Sequence, residues 1–167
     1  MSKSTGIGMK LYLMGYDMSG DVGAINTMRS SMAVLDVTAI DGTTHERIPG
    51  LRDGEITFSV FFNSATGETH DYLATLPTTD VLCMVLTSTT AGQPVICLTA
   101  KQVNYDWQRN ADGSMLGTVQ LLAASGIPLE YGLLLTSKVT HASADDETGI
   151  DFGAQTTAGA IGYLQHF

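Results

Sequence analysis

Histidines and cysteines are the residues of this sequence with the clearest capacity for metal binding or nucleophilic chemistry. Four histidines are present, and none lies in an HExxH or other paired spacing: His45, His70, His141 and His166. Acids that could join them are Asp145, Asp146 and Asp151, but the spacings match no zinc or calcium loop. We interpret the histidines as surface residues and predict neither a metal nor another cofactor.

The two cysteines lie in apolar segments, VLCMVL around Cys83 and VICLTA around Cys97. A reactive thiolate needs an electropositive and partly exposed setting, which these segments do not offer. Buried free thiols are the expectation, and a disulfide between neighbouring strands is the alternative. The sequence also lacks a GxSxG elbow, a GxxxxGK[ST] loop and a GxGxxG turn after a strand. We therefore predict that the protein is not an enzyme.

The composition is poor in charge and acidic in sign. Of 167 residues, 15% are charged and 44% are apolar, with 17 acids against 8 bases and a net charge of −9. A soluble domain is typically about 25% charged, so the surface is either coated with Ser and Thr or buried against other subunits. Because the few bases are scattered, tight binding to a nucleic-acid backbone is not expected. No segment has the length of a membrane span or the form of a secretory signal, so no membrane partner is predicted.

Residues 55–62 carry the clearest secondary-structure signal. Ile56, Phe58 and Val60 alternate with Glu55, Thr57 and Ser59, which is the period-two pattern of a half-buried antiparallel strand. Other β-rich segments are separated by turn residues and are predicted as strands: 10–14, 26–40, 81–87, 94–107, 114–124, 129–139 and 160–167. We expect a hairpin that joins residues 93–107 to residues 114–124 through the turn 110–113.

One short helix is predicted within residues 66–76, with Thr66 as its N-cap and Pro77 after its end. Strands without alternating helices indicate an all-β sandwich or barrel with one short helix near 67–76. No linker divides the chain, so we predict one domain over residues 1–167, with residues 1–8 as a flexible N-terminal arm. Residues 16–23, 43–48 and 142–153 are predicted loops.

Residues 36–63 read DVTAIDGTTHERIPGLRDGEITFSVFFN. This segment resembles the tail tube proteins (major tail proteins) of long-tailed, siphovirus-type bacteriophages. The matching features are a strand that ends at Thr38, a polar stretch at 41–48, a Gly-Leu-Arg-Asp-Gly turn at 50–54 and an alternating strand at 55–62. The opening LYLMGYDMSGDVGAI, the segment KQVNYDWQRNADGS and the closing GYLQHF also look like tail proteins of actinobacterial phages.

The resemblance implies a structural virion protein with a phage tail tube-like fold. Members form stacked, usually hexameric rings whose inner strands join into one barrel, and the lumen carries DNA during ejection. The implied partners are other copies of the chain, the tape measure, terminator and distal tail proteins, and DNA in transient passage. The implied location is the virion tail, after synthesis in the host cytoplasm. A negative wall would repel phosphate and let DNA slide.

Candidate site residues follow from this resemblance and from the strand pattern. Glu55, Thr57 and Ser59 are the lumen candidates, because they share the polar face of the alternating strand. Arg52 and Asp53 are expected to pair with each other or across a subunit seam, on a turn that Gly50 and Gly54 allow. The full set of inter-subunit candidates is Tyr16, Asp17, Met18, Asp21, His45, Glu46, Arg47, Arg52, Asp53 and Phe167.

Two other functions remain open at this point. A capsid decoration protein fits the same size and β content, and it would stay monomeric or trimeric until it meets a capsid. A host-side β-barrel enzyme would need a pocket with convergent polar groups. The methionines of the first third of the chain are read equally well as core filler or as part of a subunit interface. Self-assembly of the purified protein distinguishes a tail tube protein, which should form rings or tubes, from a decoration protein.

Overall fold

The computed structural model describes residues 5–135, and of the last part of the chain only the backbone of residues 164–165. These residues form nine strands and one helix, and every strand pairing is antiparallel. The elements are β1 (Lys10–Leu13), β2 (Tyr16–Asp17), β3 (Val22–Asp36), β4 (Arg47–Phe61), α1 (Thr69–Leu73), β5 (Val81–Leu86), β6 (Pro94–Arg109), β7 (Met115–Ala123), β8 (Glu130–Leu134) and β9 (Leu164–Gln165). The predicted all-β class with one short helix is confirmed.

The long strand β6 divides the sheet into two layers. The strand order is β2-β1-β5-β6-β7-β4-β3, with β8 beside β6 and β9 beside β8. Residues 94–100 of β6 pair with β5 and β8, whereas residues 100–109 pair with β7. We call β2, β1, β5, β8 and the first half of β6 the β5 layer. The second half of β6, with β7, β4 and β3, is the β4 layer.

One hydrophobic core lies between the two layers. Phe58 of β4 and Leu121 of β7 pack in the same cluster as Leu11 of β1, Val85 of β5 and Leu98 of β6. The predicted alternation of β4 is confirmed, since Ile56, Phe58 and Val60 are fully buried while the residues between them are not. Two layers that cover one core make the fold a β-sandwich.

The helix is shorter than predicted. It spans Thr69–Leu73, and Glu68 occupies its N-cap position without a capping side-chain bond, so the prediction of Thr66 as N-cap is wrong. Leu73 is buried in the core, and its carbonyl accepts a hydrogen bond of 2.8 Å from Gln102 Nε2 on β6. This bond ties the C-terminal end of the helix to the β4 layer.

Residues 50–54 do not form the predicted turn. β4 runs without interruption from Arg47 to Phe61, and these residues pair with β3 in a register that sets Ser30 opposite Gly54. The chain reverses earlier, in residues 37–46. Pro49 is tolerated inside the strand because residues 47–54 have β3 as their single strand neighbour among the described residues. Arg47 and Ile48, predicted as loop residues, begin β4.

The two cysteines are free and buried, as the sequence predicts. They lie on neighbouring strands, where Cys83 is paired with Leu98 and Cys97 with Met84. Since successive residues of a strand point to opposite faces, this register places the two thiols on opposite faces of the β5 layer. Cys83 belongs to the main core and Cys97 to a second apolar cluster, so a disulfide between them is excluded by the fold.

The hairpin of β6 and β7 is confirmed, and it turns through residues 110–113 with Gly113 at a φ of +92°. Residues 16–23, predicted as a loop, contain the two-residue strand β2 and the start of β3. Of the predicted last strand, the structure describes Leu164–Gln165, which pair with β8. The predicted loop 142–153 and the first half of the predicted arm, residues 1–4, lie outside the described residues.

Candidate functional site

A polar surface covers the face of the β4 layer that points away from the core. Glu55, Thr57 and Ser59 all lie on it, because each alternates with a buried residue of β4. The strand register continues this face onto β7, where Gln120 is opposite Thr57 and Thr118 is opposite Ser59. We call this surface, which also includes residues of β3 and β6, the polar face.

Glu55 is the centre of a hydrogen-bond network on the polar face. Its carboxylate accepts bonds from Gln120 Nε2 at 2.8 Å and Thr57 Oγ1 at 3.1 Å, and the Arg29 guanidinium donates to Oε2 at 2.5 Å. The bond from Gln120, followed by the Thr57 bond and the charge of Arg29, lowers the pKa of Glu55 despite its partial burial. The carboxylate is therefore ionised at neutral pH, and Arg29 balances its charge.

The network continues across all four strands of the β4 layer. On β6, Asn104 Oδ1 accepts the backbone N–H of Gln120 at 2.8 Å, and Asn104 Nδ2 donates to Asp106 at 2.7 Å. On β3, Asn26 Nδ2 donates to Ser59 Oγ at 2.7 Å. A surface of this kind offers amides, hydroxyls and balanced charges. Such groups hold water well but provide no cluster of cations for a phosphate backbone.

The β4 layer ends in two strand edges that have no partner among the described residues. β3 pairs with β4 on one side only, along almost its whole length of 15 residues. The other edge is the second half of β6, where residues 101–109 pair with β7 on one side only. Long unpaired edges are templates for pairing with another chain. In a layer of four antiparallel strands the two edge strands run in opposite directions, so copies can join edge to edge without breaking the antiparallel pattern.

A hairpin of β3 and β4 extends beyond the rest of the β4 layer. β7 accompanies β4 from Glu55 to Phe61. Within the described part of the chain, residues 30–54, which we call the projecting hairpin, therefore form strand pairs only with each other. Large apolar side chains of this hairpin are exposed, with Leu51 at 87% and Ile40 fully so. The others are Met32, Val34, Leu35, Val37 and Ile48.

The tip of the projecting hairpin is ordered by side-chain bonds. Asp36 accepts the Thr38 backbone N–H at 3.0 Å and the Thr38 hydroxyl, and its other oxygen lies 2.8 Å from His45 Nδ1. Thr38 Oγ1 in turn accepts the backbone N–H of Glu46 at 2.9 Å. The bonds from Thr38, above all that from its hydroxyl, lower the pKa of Asp36. These bonds therefore hold the tip in a defined conformation, and its apolar side chains remain exposed.

The structure brings together half of the predicted inter-subunit residues on the projecting hairpin. These are His45, Glu46, Arg47, Arg52 and Asp53. Arg52 and Asp53 do not pair with each other, because neighbours on one strand point to opposite faces. The alternative, a pairing across a subunit seam, stays a prediction. Asp53 instead accepts the Gly54 backbone N–H at 2.8 Å.

The remaining inter-subunit candidates lie elsewhere. Tyr16 of β2 stacks on Tyr72 of α1 with 3.9 Å between ring centroids, and Asp17 lies 3.8 Å from Lys10 Nζ. Met18 is 3% exposed and belongs to the core, so its assignment to a subunit interface is wrong. The loop it belongs to folds back so that the Met18 backbone N–H reaches Leu11, which draws the side chain inward. Phe167 lies outside the described residues.

Asp21 has an internal role that the sequence pattern did not indicate. Its carboxylate accepts a bond of 3.1 Å from Asn63 Nδ2 and one from the Thr69 hydroxyl, which anchors the start of α1 to the end of β4. Beside it, His70 Nδ1 lies 3.2 Å from the Tyr105 hydroxyl. Burial, and secondly the charge of Asp21, raise the pKa of Tyr105 to about 12.

Sequence reasoning missed most of the polar-face network. Arg29 and Asn26 of β3 bond to Glu55 and Ser59, which lie 26 and 33 residues away along the chain. Asn104 and Asp106 lie on β6, opposite Gln120 and Thr118 of β7. A usable signal existed in β7, where Thr118 and Gln120 alternate with buried Val119 and Leu121. Within residues 5–135, no group of three or more His, Cys, Asp or Glu side chains could hold a metal ion, and no helix has the length and apolar character needed to cross a membrane.

No protein-family model and no curated protein matches the sequence. Several solved structures do. A chain of the virion of a native gene transfer agent particle is 12% identical, with a TM-score of 0.61 over 76% of this chain and 98% of that chain. A chain from the tail of an empty gene transfer agent particle with C6 symmetry is 15% identical, with a TM-score of 0.55 over 78% and 98%.

A third similar chain belongs to the sheath/tube terminator of an extracellular contractile injection system in the extended state. It is 9% identical, with a TM-score of 0.63 over 78% of this chain and 97% of that chain. Because these chains are matched over nearly their whole length, the likeness covers a complete domain. At such low identities it is a likeness of fold, and it establishes that this chain has a tail tube-like β fold.

Proposed function

We propose that the protein is the tail tube subunit of a long-tailed, siphovirus-type bacteriophage, and that its copies form stacked hexameric rings around a channel for DNA. The observation that supports this function best is the pair of free antiparallel edges of the β4 layer, β3 and the second half of β6, in a chain with a tail tube-like fold. A monomer with two such edges is prone to uncontrolled pairing, and closure into a ring removes both edges at once.

The dimensions of a closed ring suit a DNA channel. Each copy contributes four strands of the β4 layer, so six copies give about 24 strands. With strands about 4.8 Å apart and tilted by about 40°, the backbone barrel has a diameter of about 40 to 50 Å. That width admits a duplex after allowance for side chains. The C6 symmetry of the gene transfer agent tail that contains a similar chain supports six copies.

The polar face is the surface that we assign to the lumen, with Glu55, Thr57 and Ser59 as its first members. Its Arg29 is neutralised by Glu55, and the whole chain carries a net charge of −9. DNA next to this face would meet bound water and few free cations, so it would slide without sticking. A strongly positive channel potential would contradict this assignment.

The projecting hairpin is the element that we assign to contacts between stacked rings. Its apolar side chains are exposed although the tip is held in place by Asp36 and Thr38. Burial of such groups is favourable at about 25 cal/mol per Å² of apolar surface, and a neighbouring ring would provide it. The segment around Tyr16 and Asp17, the N-terminal arm and Phe167 are further candidates. Partners at the tube ends and in the lumen would be terminator, distal tail and tape measure proteins.

Electron microscopy of the purified protein in negative stain tests the proposed function. We expect hollow rings of six-fold symmetry, and tubes at high protein concentration or with an initiator complex. Monodisperse monomers or trimers under all conditions would overturn the proposal and favour a capsid decoration protein. Rings with another symmetry would support the tube function but contradict the proposed number of six subunits per ring.

A further inference from the structure

Two side chains of opposite charge lie on the two free edges of the β4 layer. Arg29 lies on β3, and its side chain is 60% exposed although Nη2 donates to Glu55. Asp106 lies on the free part of β6, is exposed, and accepts a bond of 2.7 Å from Asn104 Nδ2. An arginine carries five N–H donors, so Arg29 can bind a second carboxylate in addition to Glu55.

Arg29 and Asp106 both belong to the polar face. Residues that stand opposite each other on neighbouring strands share a face, and Arg29 is opposite Glu55. Asp106 is opposite Thr118, which is itself opposite Ser59. Edge-to-edge joining that keeps the polar face continuous therefore brings this side of β3 next to the same side of β6 in the next copy.

The same two residues are far apart within one copy. Arg29 lies in the row of Glu55, whereas Asp106 lies in the row of Ser59, four residues farther along β4. Three strand spacings across the layer and four residues along it amount to about 20 Å. An ion pair between Arg29 and Asp106 can therefore form only between copies.

The geometry of a closed barrel predicts how the two edges are aligned. With four strands per copy, spaced about 4.8 Å apart and tilted by about 35 to 45°, neighbouring copies are staggered by about four to six residues. The stagger must be an even number, because an odd one would move polar side chains to the other face.

The direction of this stagger follows from the length of the strand ladder that it forms. A stagger of about four residues in one direction sets residues 25–33 of β3 beside residues 101–109 of the next copy's β6. The opposite direction leaves only residues 22–24 of β3 beside that edge. The longer ladder satisfies more backbone groups, and it sets Arg29 opposite Asp106 of the next copy.

We propose that Arg29 of one copy forms an ion pair with Asp106 of the next copy at every seam of the ring. The inference rests on the proposed function, because ring closure is what joins β3 to the next copy's β6. Arg29 then lies between two carboxylates, that of Glu55 in its own chain and that of Asp106 in the next. Charge pairs across an interface mainly fix register and exclude wrong partners, so this pair would hold the seam in one alignment.

Charge reversal on one edge tests the pair. Asp106→Arg changes an exposed residue, and it sets two cations against each other at every seam. We expect the protein concentration needed for rings to rise at least about tenfold, while thermal unfolding of the monomer stays close to that of the wild type. The control Glu68→Arg makes the same change of charge at an exposed residue before α1 and should leave ring formation unchanged.

A mixture of two variants provides the sharper test. Arg29→Asp alone sets two anions against each other at every seam, so neither it nor Asp106→Arg should form rings at wild-type concentrations. In an equimolar mixture the two variants can alternate around a ring of six, and every seam then joins one cation to one anion. We expect the mixture to form rings at wild-type concentrations, which a purely structural role of either residue would not produce.

A cysteine pair covers the case in which Arg29→Asp folds poorly beside Glu55. Arg29→Cys with Asp106→Cys, treated with a short bismaleimide cross-linker, should give a covalent ladder that ends at the hexamer. The distance of about 20 Å within one copy prevents a link inside a single chain. The native Cys83 and Cys97 do not interfere, because both are buried and burial raises the pKa of each thiol. The control pair Arg29→Cys with Glu68→Cys should give no ladder.

The outcomes separate the ion pair from the proposed function. Wild-type rings together with undisturbed Asp106→Arg rings, with a mixture of folded variants that fails to recover, or with an absent ladder overturn the ion pair and leave the tube function standing. Failure of the wild-type protein to form rings overturns both.

Discussion

The backbone of Gly54 lies so close to Leu129 that a β carbon on Gly54 would stand 2.7 Å from the Leu129 backbone nitrogen. The same β carbon would be 3.0 Å from the side chains of Leu129 and Leu98. Gly54 is the point where β4 leaves the projecting hairpin and enters the packed β4 layer. The glycine therefore permits close packing of two backbone segments, and not a chain reversal.

The first prediction concerns this contact. Gly54→Ala should lower the free energy of unfolding by about 1 to 3 kcal/mol, because backbone atoms of residue 129 must move to admit the methyl group. Urea denaturation of the two proteins measures the difference. The control is Gly20→Ala, where an added β carbon meets nothing within 4 Å. Equal stability of Gly54→Ala and Gly20→Ala would contradict the packing argument.

The second prediction is a loss of stability at alkaline pH. Burial raises the pKa of the Cys97 thiol to about 12 and that of the Tyr105 phenol to about 12, and it also raises the pKa of the Cys83 thiol. In the unfolded chain a thiol titrates near pH 8.5 and a phenol near pH 10. Above pH 8.5 the unfolded state therefore binds fewer protons than the native state, and the free energy of unfolding falls as pH rises.

Urea midpoints between pH 7 and pH 11 measure this effect. We expect a steady midpoint up to about pH 8 and a decline above it. In Cys97→Ala the decline should be shallower, because one of the titrating groups is removed. A wild-type urea midpoint that stays constant up to pH 10.5 would contradict the raised pKa values of the two thiols and the phenol.

The third prediction concerns the projecting hairpin. Leu51→Asp should change the unfolding free energy of the monomer by no more than about 0.5 kcal/mol, because the side chain is almost fully exposed. If the hairpin joins stacked rings, the variant should still form single rings but should form short tubes or none. Tube length in electron micrographs measures this result. Tyr131→Asp, at another exposed residue on β8, is the control and should leave tube length unchanged.

The fourth prediction concerns the polar face. Thr118→Lys adds a cation opposite Ser59 on this surface. Tubes should still assemble, but they should now retain DNA in a form protected from nuclease, and the retention should weaken steeply with salt as counterion release requires. Thr89→Lys, in the loop between β5 and β6, is the control. Equal DNA retention by the two variants would place the polar face outside the lumen.

The sequence predicted the strands best where burial alternates along a single strand. Residues 55–62 carry this pattern, and β4 follows it, with Ile56 and Phe58 in the core. The hairpin of β6 and β7 was also predictable, because the turn residues at 110–113 stand between two β-rich segments. Local pattern and tertiary packing agree in both cases.

The sequence failed where glycine and proline suggested breaks. Pro49, Gly50 and Gly54 look like turn residues, yet they lie within one strand. Among the described residues, β3 is the single strand beside Pro49, so the strand tolerates the proline, and close packing against Leu129 requires Gly54. Arg29 could not be assigned to the polar face for a different reason. Its partner Glu55 is 26 residues away, and only the β3–β4 register brings them together.

The continuity of β6 has a mechanical consequence. One unbroken backbone carries Asn104 and Asp106 of the polar face at one end and Val95 and Cys97 of the second apolar cluster at the other. A hydrogen-bonded strand resists stretching, and close-packed interiors transmit strain. A force applied along the strand at Asn104 would therefore be felt at Val95 without any loop to absorb it.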